Sequence, residues 1–244
     1  VKSSLAILLG ALALAGCVTT APQAPRPVGF PTAPVEAGPR LSPERAVDTF
    51  VAVRNRMEPV IERACRAQAP RANCDFQIGV ADDANLPPNA FQTLDASGRP
   101  VIAFTVALIA DARNADEMAF VMGHEAAHHI EGHIPRQQAN AQIGAVLGAA
   151  LGAAMGGGDQ SVELGQQIGG TYGSRRYAKD YELEADALGT ELTLRAGYDP
   201  ERGAAFFTRI PDPGDRFLGT HPPNADRIAT VRQTLMRLGV APRG

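Results

Sequence analysis

Tryptophan is absent from the 244 residues, and aromatic side chains make up only 5% of them. A platform for stacking sugars or bases therefore has little to be built from. Lysine occurs only at Lys2 and Lys179, and the formal net charge is -3. Arginine supplies the rest of the positive charge and is spread along the chain, so the dense basic footprint of a nucleic-acid-binding protein is missing. No nucleic-acid partner is expected. Neither apolar stretch, Leu5 to Leu14 or the Gly/Ala-rich Gln142 to Gly158, reaches the roughly 20 residues that cross a bilayer core. Cysteine is scarce, with three in all.

What is present is an ordinary globular mixture, 45% hydrophobic and 20% charged. Pro22, Pro25, Pro27, Pro31, Pro34 and Pro39 crowd one short stretch, which leaves about 200 residues for a single domain. Residues 1–16 combine Lys2, an apolar run and small residues before a cysteine, the pattern of an export signal. Leu14-Ala15-Gly16-Cys17 resembles the bacterial lipobox, which implies acylation of Cys17 and cleavage just before it. Residues 17–40 then read as a Pro-rich tether and residues 41–244 as the folded domain. Val18 stands where an aspartate would otherwise retain such a lipoprotein at the inner membrane. The expected location is the periplasmic face of the outer membrane, with the lipid anchor as membrane partner. An oxidising compartment, with Cys17 taken by acylation, leaves Cys65 and Cys74 to pair as a disulfide.

Along the domain, Leu41 to Ala64 has helical spacing opened by Ser42-Pro43. Asp75 to Val80, Ala90 to Leu94 and Val101 to Thr105 read as short strands of a small sheet, the last two joined through Gly98. Asn114 caps a helix that runs to about His133, with Glu117 as the second half of a capping box. Gln142 to Gly158 reads as a tightly packed helix of small residues. Further helices are expected over Arg175 to Ala196, from Asp199-Pro200, and over about Pro223 to Leu238, ending at Gly239.

Four of the five histidines, His124, His128, His129 and His133, fall within ten residues, and the fifth is His221. His124-Glu125-Ala126-Ala127-His128 is the H-E-x-x-H pattern, two imidazoles one turn apart with a carboxylate beside them. At about 100° per residue, His128 lies about 40° and Glu125 about 100° from His124, so all three share one helix face. His129 and His133 fall at about 140° and about 180° on the same wheel. They face away from the proposed ion and read as hydrogen-bonded or solvent-facing. A catalytic zinc needs a third protein ligand and one open position. The segment from Tyr181 to Asp186 supplies candidates: Glu182 or Glu184 as ligand, with Asp186 placed to accept the second N–H of a ligating histidine. Spacing does not separate the two glutamates.

Taken together, Gly123 to His128 and Glu182 to Asp186 resemble the HtpX-like and CAAX-endopeptidase-type zinc metallopeptidases, the gluzincins of metallopeptidase family 48. Asn89-Ala90-Phe91, Gly197-Tyr198-Asp199-Pro200 and His221-Pro222 with Arg227 agree with the resemblance, which spans about Leu41 to Leu238. It differs in the wider spacing of Ser174-Arg175 from Glu182 and in lacking multi-span membrane helices, so the likeness is to short, exported, lipid-anchored members. The resemblance implies an α+β fold, a mainly helical zincin-like domain with a small sheet or hairpin beside the active-site helix. It implies one Zn2+ per chain on His124, His128 and Glu182, Glu125 as general base, Asp186 and Arg227 behind the ligands, and Asn89, Ala90 and Phe91 along the substrate. His221 is left as an oxyanion donor, an inhibitory fourth ligand or a turn residue packed on Pro222. The expected activity is endopeptidase cleavage of unfolded or misassembled envelope polypeptides in protein quality control. The alternative is a zinc-stabilised, chaperone-like lipoprotein with vestigial hydrolysis.

Overall fold

The computed structural model describes residues 38–241 except 215, 217, 218 and 220. The expected signal peptide over 1–16, Cys17 and the tether up to residue 37 lie outside the described residues. The last tether residues are tied to the domain: Arg113 donates to the Gly38 carbonyl at 2.6 Å, and Arg40 pairs with Asp111 at 2.7 Å.

Helix α1 (Pro43–Gln68) opens on Ser42, whose hydroxyl accepts from the Arg45 amide, and it buries Phe50, Val53, Met57 and Ile61. Three strands follow, β1 (Gln77–Val80), β2 (Ala90–Leu94) and β3 (Pro100–Phe104), in the sheet order β1-β3-β2. β1 runs parallel to β3, and β2 pairs antiparallel with β3, Phe91 opposite Ala103 and Thr93 opposite Val101. This leaves β2 as an edge. A short helix that the sequence pattern did not reveal, α2 (Val106–Asp111), is capped by Thr105. Helix α3 (Ala115–Ile130) is capped by Asn114, which accepts from the Glu117 amide. The expected reciprocal bond differs: the Glu117 carboxylate accepts from the Arg113 amide and from Arg209.

Helix α3 ends three residues before the expected His133, because Gly132 adopts φ 66°, a conformation in which a side chain would be strained. The chain turns there and starts α4 (His133–Ala154), which packs antiparallel on α5 (Gly158–Arg175). The Gly/Ala-rich segment is thus one arm of a helical hairpin. Gly144, Gly148 and Gly152 meet Gly169, Gly165 and Ser161 so closely that a methyl on Gly148 would fall 1.9 Å from the Gly165 carbonyl oxygen. One position before each glycine lie exposed apolar side chains, Ile143, Leu147 and Leu151 on α4 and Leu164 and Ile168 on α5. Sequence reading did not resolve α5, whose glycines and glutamines dilute its helical pattern.

Helix α6 (Ala178–Arg195) crosses α3, followed by α7 (Pro200–Ala204) and α8 (Asn224–Arg237). The main core gathers α1, the sheet, α3 and α6 around Phe76, Ile102, Phe104, Met118, Met122 and Leu192. A second cluster of Phe120, Phe207, Val231 and Leu235 fastens α8 to the back of α3. The architecture is α+β, mainly helical, with the small sheet beside α3. Among the described residues no helix is long and apolar enough to cross a membrane. Cys65, near the end of α1, is bonded to Cys74.

Candidate active site

Helices α3 and α6 touch backbone to backbone. A methyl on Gly123 would stand 3.0 Å from the Gly189 carbonyl oxygen, and one on Gly189 would stand 2.9 Å from the His124 amide nitrogen. Absence of both side chains lets the two helices close up, and this closeness brings an acid of α6 to the histidines of α3.

The Nε2 atoms of His124 and His128 face each other at 3.1 Å. Glu182 places Oε2 at 3.6 Å from the first and Oε1 at 3.4 Å from the second. One donor atom from each of these three residues lies within 4.8 Å of the others. Glu184 points elsewhere, to His133 and Arg136. Geometry therefore selects Glu182 where spacing left the choice open. Two imidazole nitrogens and one carboxylate oxygen form a donor set suited to zinc, with a position left for water or substrate.

Each of the two rings is held through its far nitrogen. His124 Nδ1 lies 2.9 Å from Asp186 Oδ1, and Asp186 is fully buried. Arg227 balances that charge with two hydrogen bonds to the Asp186 carboxylate at 2.7 and 2.8 Å, its guanidinium 3.9 Å from the Phe207 ring centroid. His128 Nδ1 meets His133 Nδ1 at 2.8 Å. This corrects the expectation that His133 faces away. The wheel assumed one continuous helix, whereas the turn at Gly132 folds His133 back, and it is buried. His129 does face away, onto the Asn73 carbonyl at 2.8 Å.

Burial pushes the Glu125 carboxyl up to about 7, against the opposing charges of His124 and Arg227. Burial, together with the charges of His124 and His133, drives His128 down to about 3, so its ring is neutral and its lone pair available. Burial raises Glu182 as well, but the hydrogen bond from His221 and the charges of His124 and Arg227 outweigh it and hold this carboxyl well below the usual range. His221, at the mouth of the site, brings Nδ1 to 3.1 Å from Glu182 Oε2 and is not one of the three clustered donors.

These groups line a cleft of about 650 Å3 that also takes in Asn89, Ala90, Phe91 and Gln92 of the edge strand. Thr105 bonds to Asn89 at the start of β2, and the antiparallel register makes Phe91 and Thr93 the residues that exchange hydrogen bonds with β3. Ala90, Gln92 and Leu94 therefore direct their backbone groups off the free edge. Gln92, which sequence reading did not single out, lines this cleft together with Glu125. Only the position of β2 beside α3 reveals it.

The peptidase family M48 model matches residues 51–235. No curated protein matches the chain. The matched span contains both histidines, Glu125 and Glu182, and on this evidence the chain belongs to peptidase family M48, a family of zinc metallopeptidases.

Proposed function

We propose that this chain is an endopeptidase of the bacterial cell envelope that cuts unfolded or misassembled polypeptides. His124 and His128, through Nε2, and Glu182, through its carboxylate, would hold one zinc ion. Zinc bound there supplies Lewis acidity, activating water near neutral pH and polarising the scissile carbonyl. Glu125 takes the proton of the attacking water and returns it to the leaving amine. A carboxyl with a pKa near 7 suits both transfers, which contribute typically 10²- to 10⁴-fold. His221, whose Nδ1 lies 3.1 Å from Glu182 Oε2 at the mouth of the cleft, is the donor to the tetrahedral oxyanion.

The observation that carries the reading is the cleft itself, which sets the open edge of β2, with Ala90, Phe91 and Gln92, alongside Glu125 and the cluster of His124, His128 and Glu182. An extended segment that pairs with Ala90 and Leu94 lays a peptide bond beside Glu125, and only a locally unfolded chain can add as a strand. Residues 1–17 support export and lipid anchoring through Cys17, and hence the envelope location and a role in protein quality control.

Unfolded casein and a native globular protein, each incubated with the purified chain, test this. Cleavage of casein alone is expected, lost with a chelator, restored by zinc and absent in Glu125→Gln. Cleavage by the chelated protein would overturn the zinc reading, and preference for the native substrate would overturn the strand-addition reading. Metabolic labelling with a fatty acid, lost in Cys17→Ser, tests the anchor; undiminished labelling rejects it.

A further inference from the structure

Two imidazoles of this site are oriented by different means. Asp186 serves His124 directly, with Arg227 behind it. His128 has no carboxylate on its far nitrogen but a third imidazole, that of His133. We propose that His133 is a positioning residue, which fixes the tautomer and ring plane of His128 and is itself fixed by Glu184 and Arg136. The inference rests on the reading above that His128 binds zinc through Nε2.

A neutral imidazole that offers Nε2 to a metal carries its proton on Nδ1. In His128 that nitrogen faces the Nδ1 of His133 at 2.8 Å, and between two like atoms one donates and one accepts. His128 donates, so His133 accepts on Nδ1 and carries its own proton on Nε2. That nitrogen lies 3.1 Å from Glu184 Oε2, which only accepts. Arg136 closes the chain with hydrogen bonds to both oxygens of Glu184 at 2.5 and 3.3 Å. Every proton has one place to be, and the order from His128 to Arg136 is fixed.

Ring orientation is set as tightly. His133 stacks on Tyr181 with centroids 4.8 Å apart and planes 14° apart, and the Tyr181 hydroxyl accepts from Asn140 Nδ2 at 2.7 Å. Arg136 lies 4.3 Å from the centroid of the same tyrosine ring. His133, Arg136 and Asn140 all belong to the first turns of α4, and Tyr181 and Glu184 to α6. The root of the glycine hairpin is thereby coupled to one zinc ligand through hydrogen bonds.

Zinc affinity, measured by competition with a chromophoric chelator, separates this role from mere space filling. His133→Phe keeps the stacked ring and loses the acceptor. His133→Asn loses the ring and presents an acceptor near the position of Nδ1. Partners of this kind are worth roughly 10- to 100-fold in metal affinity, so Phe should weaken zinc binding by that factor while Asn recovers most of it. Glu184 is 41% exposed, so Glu184→Ala should leave the fold intact and weaken zinc roughly tenfold, because His133 is then free to put its proton on the wrong nitrogen. Imidazole 15N spectra of the zinc-loaded chain should show His128 protonated on Nδ1 and His133 on Nε2. A Phe variant within twofold of wild type, an Asn variant weaker than Phe, or an unaltered Glu184→Ala overturns the proposal. If the wild-type chain itself fails to bind zinc, the ligand reading falls and takes this inference with it.

Discussion

Gly189 of α6 lies so close to His124 of α3 that a methyl group on it would stand 2.9 Å from the His124 amide nitrogen and 3.1 Å from its Cα. Both clashes are with backbone, so no side chain can swing aside to relieve them. The contact decides how near Glu182 comes to the two histidines, since all the ligands ride on these two helices.

Gly189→Ala therefore sets two effects against each other. Alanine favours a helix interior over glycine by about 1 kcal/mol. Overpacking a tight contact costs about 1 to 3 kcal/mol. The net loss of stability is expected to be about 2 kcal/mol or less, read as a small fall in the midpoint of urea unfolding. Zinc affinity should suffer more, falling at least tenfold as the helices separate. Unchanged affinity in a folded Gly189→Ala chain would mean that this contact does not set the ligand geometry.

Glu125 gives a prediction with opposite signs for activity and stability. Its pKa rises from 4.5 to about 7 in the folded chain, chiefly through burial. An acid whose folded pKa is raised prefers to be protonated there, so the metal-free fold loses stability as pH climbs from 4.5 towards 7. Above that window the loss amounts to as much as about 3 kcal/mol, and below pH 4.5 it vanishes. Glu125→Gln should abolish casein cleavage, keep zinc, and raise the melting temperature of the metal-free protein at pH 8 but not at pH 4. An equal melting temperature at pH 8 would show that the carboxylate is not destabilised by its site.

Much of this site is legible in the sequence because its parts are local. His124, Glu125 and His128 declare themselves by spacing on one capped helix, and Asp186 by its distance of one turn from Glu182. Spacing alone left Glu182 and Glu184 open, and the family resemblance pointed to Glu182; the physical reason is the crossing at Gly123 and Gly189, which no periodicity encodes. His133 was placed on the wrong side because a helical wheel is valid only while the helix continues, and Gly132 ends it. Gln92 lines the cleft only because β2 lies beside α3, and its side chain carries no trace of that. The hairpin was half legible: small residues show that something packs closely on α4, but its partner α5 is too rich in glycine and glutamine to stand out.

Replacing His221 discriminates between its possible roles by sign. As a donor to the oxyanion it should cost about 10²-fold in kcat when changed to Ala, with KM little altered. As an inhibitory fourth ligand it would instead hold activity down, and the same variant would be faster. The ring's contact in this structure is with the Glu182 carboxylate, so a fall is expected. Zinc affinity measured on the same variant guards against a trivial cause: a fall in kcat at full zinc occupancy supports the donor role, and a rise identifies the latch.

The glycine seam of the hairpin makes the last prediction. A Cβ on Gly148 would fall 1.9 Å from the Gly165 carbonyl oxygen, so Gly148→Val cannot be accommodated without parting α4 from α5. Ala150, two residues on, is exposed, and Ala150→Val introduces the same β-branched side chain where there is room. Helix propensity slightly favours Gly148→Val and penalises Ala150→Val by less than about 1 kcal/mol, so a larger loss of protection in Gly148→Val reports the seam. Hydrogen exchange across residues 141–173 should accelerate strongly in Gly148→Val and little in Ala150→Val, while α1 and α3, which have their own core, stay protected in both. Equal protection of the hairpin in the two variants would show that close backbone contact does not hold these helices together.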